Sequence, residues 1–279
     1  MRQTLDRLWA RRRLLTYLGL LIAVLITLLP FMWMLLGSFK SEGEILRDPS
    51  GFWPQHPTLG NYSTWFTQLH LGQFFLNSLI VAMVTVIGNL LFCSMVGYAL
   101  AKFHFGGKRL VFALVMITLM VPGVVTFVPL FVLVTKLGMA NTYAALILPF
   151  LTSPMGVFMM RQFISGIPDT LLEAARIDGA GELRIWARIV MPLCGPPLAT
   201  LGILTFLGSW NNFLWPLVAA QSQDMYTLPV ALSLYSTGQV ATQYGLLLAG
   251  SVLVIAPIVL VFVSLQRYFT QSIATVGVR

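Results

Sequence analysis

A chain of 279 residues in which 57% are hydrophobic and only 9% are charged cannot cover a water-facing surface, since soluble domains carry about 25% charged residues. The apolar surplus requires the bilayer as its solvent. A net charge of +8 does not mark a nucleic-acid binder, because the 17 Lys and Arg are spread between apolar runs rather than gathered in one basic patch.

The first segment, residues 1–13, holds Arg2, Arg7, Arg11, Arg12 and Arg13 and precedes the apolar run Leu14–Gly37. A cleavable signal has a core of about 7–15 apolar residues followed by a small-x-small site. This run is longer, leads into Phe39-Lys40 and lacks that site, so it is expected to be a first membrane anchor. Residues 39–73 follow, rich in Pro, Gly and aromatics and carrying Glu42, Glu44 and Asp48. They are expected to form an ordered external cap with a short helix around Tyr62–Leu69.

Five further apolar runs cover about 74–101, 110–135, 141–160, 198–220 and 245–265, each near the ~20 residues that cross a hydrocarbon core. The fold class expected is therefore all-α integral membrane, with six transmembrane helices, a core over 74–265 and a tail over 266–279. Pro30, Pro122, Pro129, Pro149, Pro154, Pro216 and Pro257 fall inside these runs; in a bundle, neighbouring helices satisfy the backbone groups that such prolines free. An even number of crossings puts both termini on one side. Of the 17 Lys and Arg, only Lys40, Arg47 and Lys136 fall on the opposite side. The positive-inside rule makes both termini cytoplasmic.

Between the fourth and fifth spans lies a polar loop, residues 167–195, whose charged part reads IPDTLLEAARIDGAGELRIWARIVMP. Pro168 stops what precedes, and Thr170-Leu171-Leu172-Glu173 fits a capping box. A short helix from Leu171 to Asp178 is expected, ended by Gly179 in a left-handed conformation. A second helix from about Gly181 to Val190, closed by Pro192, places Glu182, Trp186 and Ile189 along one side and Arg184 with Arg188 on another. Two short helices around a glycine hinge form a knob that docks into a soluble partner, or an amphipathic connector lying on the headgroups. The residues alone leave both open.

Span five contains Trp210, Asn211 and Asn212 within Gly208–Pro216. Adjacent amides in an apolar span are costly unless they face a cavity or another helix. Amides match sugar hydroxyls and aromatic rings stack on sugar C–H faces, so these three are candidates for a sugar path; hydrogen bonding between helices with an interfacial tryptophan is the competing reading. Asn77 and Asn89 on span two are read as helix-packing groups. Cys93 and Cys194 form no CxxC and no cluster with His56, His70 or His104, which leaves them as small buried hydrophobes and gives no metal site. No G-x-x-x-x-G-K-[ST] phosphate loop occurs, and no acid pair or nucleophile motif points to an integral membrane enzyme. Every Asp and Glu falls outside the expected spans, whereas an ion-coupled secondary carrier usually shows an intramembrane ionisable residue.

Glu173-Ala174-Ala175, Asp178-Gly179-Ala180, Ile189 and Pro192 resemble the EAA loop of ABC importer permeases, with Trp186 where that family usually has Phe. Ser38-Phe39-Lys40, Glu44-Ile45, Leu59-Gly60-Asn61-Tyr62, Asn77-Ser78-Leu79, Gly97-Tyr98-Ala99-Leu100-Ala101, Leu148-Pro149 and Arg161-Gln162-Phe163 are similar to the carbohydrate branch, on the side of the malG-type inner-membrane subunit. The resemblance covers nearly the whole chain, least at the N-terminus and between Gln221 and Gly245. It implies a type I importer fold in a bacterial or archaeal plasma membrane. The partners implied are a malF-type second permease, an ATPase homodimer or heterodimer that binds ATP and Mg, and an external solute-binding protein. No cofactor is expected in this chain. The resemblance assigns Glu173, Ala174, Ala175, Asp178 and Gly179 to ATPase coupling, with Arg184 and Arg188 as candidate ion-pair partners. Gly277 and Val278, in the small-Gly-x-Val-basic tail, are assigned to a further ATPase contact. Permeases for glycerol phosphate or amino acids share the loop; no positive group within the spans favours an anionic substrate.

Overall fold

The computed structural model describes residues 2–236 and 243–276, and side chains within 13–235 and 243–264. Helices make up most of the described chain, with no strand among the described residues. Three helices are long and apolar enough to cross a membrane, within α1 (Arg2–Gly37), α4 (Leu71–Lys102) and α15 (Tyr244–Val276); three bent pairs raise the number of candidate crossings to as many as six. α2 (Glu42–Arg47) and α3 (Gly60–Thr67) lie between the first two in sequence, and α14 (Leu228–Ser236) precedes the last. Pro30 and Pro257 are carried inside α1 and α15 without a break.

The bent pairs correct the continuous runs expected from the sequence. The run 110–135 is two helices, α5 (Lys108–Met120) and α6 (Gly123–Lys136), meeting at 105°. Val121 is extended (φ −80, ψ 118), as residues before proline tend to be, and Pro122 caps α6. The run 141–160 divides into α7 (Tyr143–Ile147), which continues as a 3₁₀ turn to Phe150, and α8 (Pro154–Ser165), with a 40° bend. Ser153 caps α8 by accepting from the Gly156 N–H at 3.1 Å, and Pro154 needs no partner in that first turn.

The chain clusters into two compact units, Met1–His70 with Leu232–Ile255 and Leu71–Ala231 with Ala256–Arg279. In the first, the segment after α1 is tied down by polar side chains. Asn61 donates to the Ser38 and Lys40 carbonyls, both at 2.9 Å, and the buried Lys40 ammonium donates to the Gly51 carbonyl at 2.6 Å. Trp65 is fully buried and donates its indole N–H to the Leu246 carbonyl at 2.9 Å. Glu42 accepts from the N–H groups of Tyr244 (3.1 Å) and Gly245 (2.9 Å), placing a carboxylate at the positive end of α15. An ordered cap is thus present, with its helix at Gly60–Thr67 rather than Tyr62–Leu69. The apolar stretch of α1 buries none of its side chains within the chain.

In the second unit α4 is the central helix, and glycines set how closely its neighbours approach. A Cβ on Gly97 would come within 2.9 Å of the Arg161 backbone nitrogen, and one on Gly88 would meet the Leu151 side chain at 2.3 Å. Such small-residue contacts let helix backbones pack where lipid removes the hydrophobic drive between them. Asn77 is fully buried; its amide donates to the Asp224 (2.7 Å) and Tyr226 (2.9 Å) carbonyls and accepts from the Tyr143 hydroxyl at 2.6 Å. Asn89 donates to the Phe150 carbonyl at 2.6 Å and the Thr85 carbonyl at 3.2 Å. Both asparagines do the packing work expected of them. Cys93 and Cys194 are free and buried, as expected.

Candidate functional site

The polar loop folds as α9 (Asp169–Ile177), a glycine turn, α10 (Glu182–Ile185), a π-helical turn over Trp186–Val190, and α11 (Met191–Leu193). Two details differ from expectation. Pro168, not Thr170, is the N-cap, and no side chain caps the helix; Thr170 is already within its first turn, so the capping box does not form. Instead Asp169 stands at the first helical position, where its negative charge complements the positive end of the helix dipole. Pro192 does not end the second helix: the chain runs on to Leu193, and the π turn immediately before it accommodates the missing N–H and the ring.

Gly179 closes α9 at φ +80. The Ala180 N–H reaches the Ala175 carbonyl at 2.9 Å and the Gly179 N–H reaches the Arg176 carbonyl at 3.0 Å, the paired bonds of a Schellman end. Nothing lies within 4 Å of a Cβ built there. Glycine is needed for its backbone angle, not for space.

One side of the loop is buried. Leu172 and Ile185 join Met160, Ile164, Ile167 and Val190 in one apolar cluster, with Ala175 half-buried against it. The other side is open: Glu173, Ala174, Asp178, Gly179, Arg184 and Arg188 are all exposed. Among them stand two apolar residues, Ile177 at 87% and Leu183 at 65% exposure. The sequence reading passed over this pair. Its signal was available, since both are bulky and face away from the buried Leu172–Ile185 stripe.

The loop is held to α4 by polar contacts that spacing alone does not reveal. Lys102, with only 5% of its side chain exposed, donates to the Ile167 carbonyl at 2.5 Å and to Asp169 at 2.8 Å. Tyr98, one turn earlier, donates to Glu182 Oε2 at 2.6 Å. Arg176 pairs with Glu182 Oε1 at 2.7 Å and so joins the two short helices. The Lys102 hydrogen bond holds the Asp169 carboxyl below the usual range, and the Arg176 hydrogen bond does the same for Glu182.

Deeper along α4 lies a cavity of about 490 Å³. Val81, Thr85 and Asn89 form one wall, residues 146–159 another, and α12 (Gly195–Trp210) with Asn212 and Pro216 closes it. No charged side chain is among the described residues that line it. The structure separates the three path candidates. α12 stops at Trp210, the amides stand in the break, and α13 (Leu214–Ala219) resumes the helix. Asn212 lines the cavity and accepts from the Trp215 N–H at 3.4 Å. Asn211 is exposed and bonds back to the Leu207 carbonyl at 3.0 Å. Trp210 is buried, stacked on Phe206 with centroids 5.5 Å apart and edge-on to Phe75. The amides therefore do not interrupt a continuous span from 198 to 220; they occupy its break. Gly277 and Val278 lie outside the described residues.

Residues 93–275 match the family described as the inner membrane component of binding-protein-dependent transport systems. The chain belongs to this family. It is 44% identical over 265 residues to the arabinooligosaccharides transport system permease protein AraQ of Halalkalibacterium halodurans, covering 94% of this chain and 95% of that one. It is 35% identical to the diacetylchitobiose uptake system permease protein NgcG of Streptomyces coelicolor, over 91% of this chain and 85% of the relative. Identity to the sn-glycerol-3-phosphate transport system permease protein UgpE of Yersinia pestis is 32%, over 92% and 94%. The fold is similar to that in a crystal structure of a bacterial ABC transporter involved in import of the acidic polysaccharide alginate. The TM-score is 0.83 at 22% identity, with 95% of this chain and 97% of that chain covered. The chain is thus a membrane permease subunit of the binding-protein-dependent class, with the fold of an ABC importer permease.

Proposed function

We propose that this permease forms half of the translocation pathway for a neutral oligosaccharide or polyol in an ATP-driven importer, paired with a second permease. In this reading the chain crosses the membrane six times with both termini cytoplasmic. A separate ATPase docks on the loop 167–195, and an external binding protein delivers the solute. Gly277 and Val278 make a further ATPase contact in the same assembly.

One observation carries the coupling role: the loop is buried and tethered on one side while its other side exposes Glu173, Asp178, Arg184 and Arg188 around Ile177 and Leu183. A rigid knob of mixed charge with apolar anchors suits a cleft on a soluble partner better than headgroups, which a basic face would favour. The uncharged cavity supports a neutral solute, since an anion would call for a cationic side chain in its wall.

The test is detergent purification of the tagged chain from its native host. The wild type brings an ATPase subunit with it, and Glu173→Lys loses that subunit while the chain still inserts. Full retention of the ATPase by the variant would refute the docking role. Reporter fusions after His70 and after Phe105 read the topology, with the first expected outside and the second inside.

A further inference from the structure

The loop and the cavity are joined by a single helix. α4 carries Val81, Thr85 and Asn89 on the cavity wall and Tyr98 and Lys102 at its far end. Tyr98 and Lys102 are at i, i+4, on one face and one turn apart. From Asn89 to Tyr98 is about 14 Å along the axis, at 1.5 Å per residue.

The two end residues grip different legs of the loop. Lys102 holds the start of α9 through Asp169 and the Ile167 carbonyl. Tyr98 holds α10 through Glu182. The Arg176–Glu182 pair then ties α9 to α10, so α4, α9 and α10 form a closed triangle. A single tether leaves a pivot, but two tethers plus a cross-brace remove it. The brace is also placed to resist shear. The Tyr98 ring is 3% exposed and packs edge-on to Phe103 at 5.2 Å, and the Lys102 side chain is 5% exposed. Water thus competes poorly for the Tyr98 hydroxyl and the Lys102 ammonium. Along the same helix, Gly97 backs onto the α8 main chain, so α4 and α8 move together or not at all.

We infer that Tyr98 and Lys102 are positioning residues that transmit displacement of the loop to the cavity wall through α4, setting how tightly the partner ATPase cycle is coupled to cavity access. The inference rests on the loop being the ATPase docking site. Neither residue lines the cavity. Each converts a push on the knob into motion of a rigid helix rather than local yielding of the loop.

The experiment uses the assembled complex in nanodiscs, with Cys93→Ala and Cys194→Ala to silence the native thiols and Thr85→Cys to report from the cavity wall. The rate of modification by 2-aminoethyl methanethiosulfonate is measured without nucleotide and with ATP plus vanadate. In this background, nucleotide changes the rate several-fold. Adding Tyr98→Phe or Lys102→Met shrinks that response by about threefold or more, the scale of one lost hydrogen bond, while ATP hydrolysis and subunit retention persist. Tyr98→Phe combined with Glu182→Ala does no more than Glu182→Ala alone, because the Glu182 change already removes the Tyr98 bond along with the Arg176 pair. An unchanged nucleotide response in the variants, or no response in the reference complex, would overturn the inference. So would equal losses of ATPase retention and response, which would mark the residues as structural. The Glu173→Lys purification separates the two proposals: if that variant keeps its ATPase, the docking site fails and takes the inference with it; if it loses the ATPase, the thiol rates decide.

Discussion

Tyr98, one turn before the end of α4, donates its hydroxyl to Glu182 across 84 positions of sequence, at 2.6 Å. The same carboxylate receives Arg176 at 2.7 Å, so one acidic side chain joins a membrane helix to both halves of the polar loop.

Protonating the carboxylates of this brace should loosen it. Both Asp169 and Glu182 have depressed folded-state pKa values, owing to hydrogen bonds from Lys102 and Arg176 respectively. Their contribution is therefore complete above the unfolded values, near pH 4, and is lost as pH falls through the lower folded values. The gap in melting temperature between wild type and Asp169→Asn should be constant from about pH 6 to 8 and close below about pH 4.

Gly179 is held at φ +80, a conformation that asparagine tolerates and β-branched residues do not. Gly179→Asn should keep the ATPase bound on purification. Gly179→Val should cost about 1–2 kcal/mol locally and release much of it. Equal behaviour of the two variants would remove the backbone argument.

Helix contact at Gly97 is tested against Gly72 on the same helix. A Cβ at Gly97 would lie 2.9 Å from the Arg161 nitrogen, whereas one at Gly72 meets nothing within 4 Å. Gly97→Ala should destabilise by about 1–3 kcal/mol through overpacking. Gly72→Ala should be neutral or slightly stabilising, by up to about 1 kcal/mol. Thermal unfolding in detergent distinguishes them.

Asn77→Ala removes the partner of two carbonyls, those of Asp224 and Tyr226. The loss should be about 1–2 kcal/mol, because two part-buried carbonyls each lose a hydrogen bond. Limited proteolysis near residue 224 should become faster, and Asn77→Asp, which turns a donor into an acceptor facing those carbonyls, should be worse.

Asn212 lines the cavity proposed as the solute path, and Asn211 does not. Asn212→Ala should raise the KM for binding-protein-delivered sugar about fivefold, the worth of one hydrogen bond; Asn211→Ala should leave it unchanged. The reverse order would place the path on the other side of α12.

Features written in consecutive residues were legible without coordinates. Apolar runs declared the membrane class because the bilayer demands about 20 such residues in a row. The EAA pattern located the loop, and Gly179 announced its turn, because left-handed backbone selects glycine locally. Asn77 and Asn89 read correctly as packing groups because an amide in an apolar helix has few other uses. Everything that depends on distant partners needed the fold. The breaks at Val121-Pro122 and Asn211-Asn212 could not be told from prolines such as Pro30 and Pro257 that helices absorb. Thr170 met the capping pattern, yet Lys102 and Asp169 took over that helix end. Tyr98 as a hydrogen-bond donor and Lys102 as an ion-pair partner carry no local signal, since their meaning comes from Glu182 and Asp169 being folded against them. The cavity, likewise, exists only where α4, α8 and α12 leave space. Local conformational preference is encoded residue by residue, whereas polar pairing and empty volume are properties of surfaces that only folding brings together.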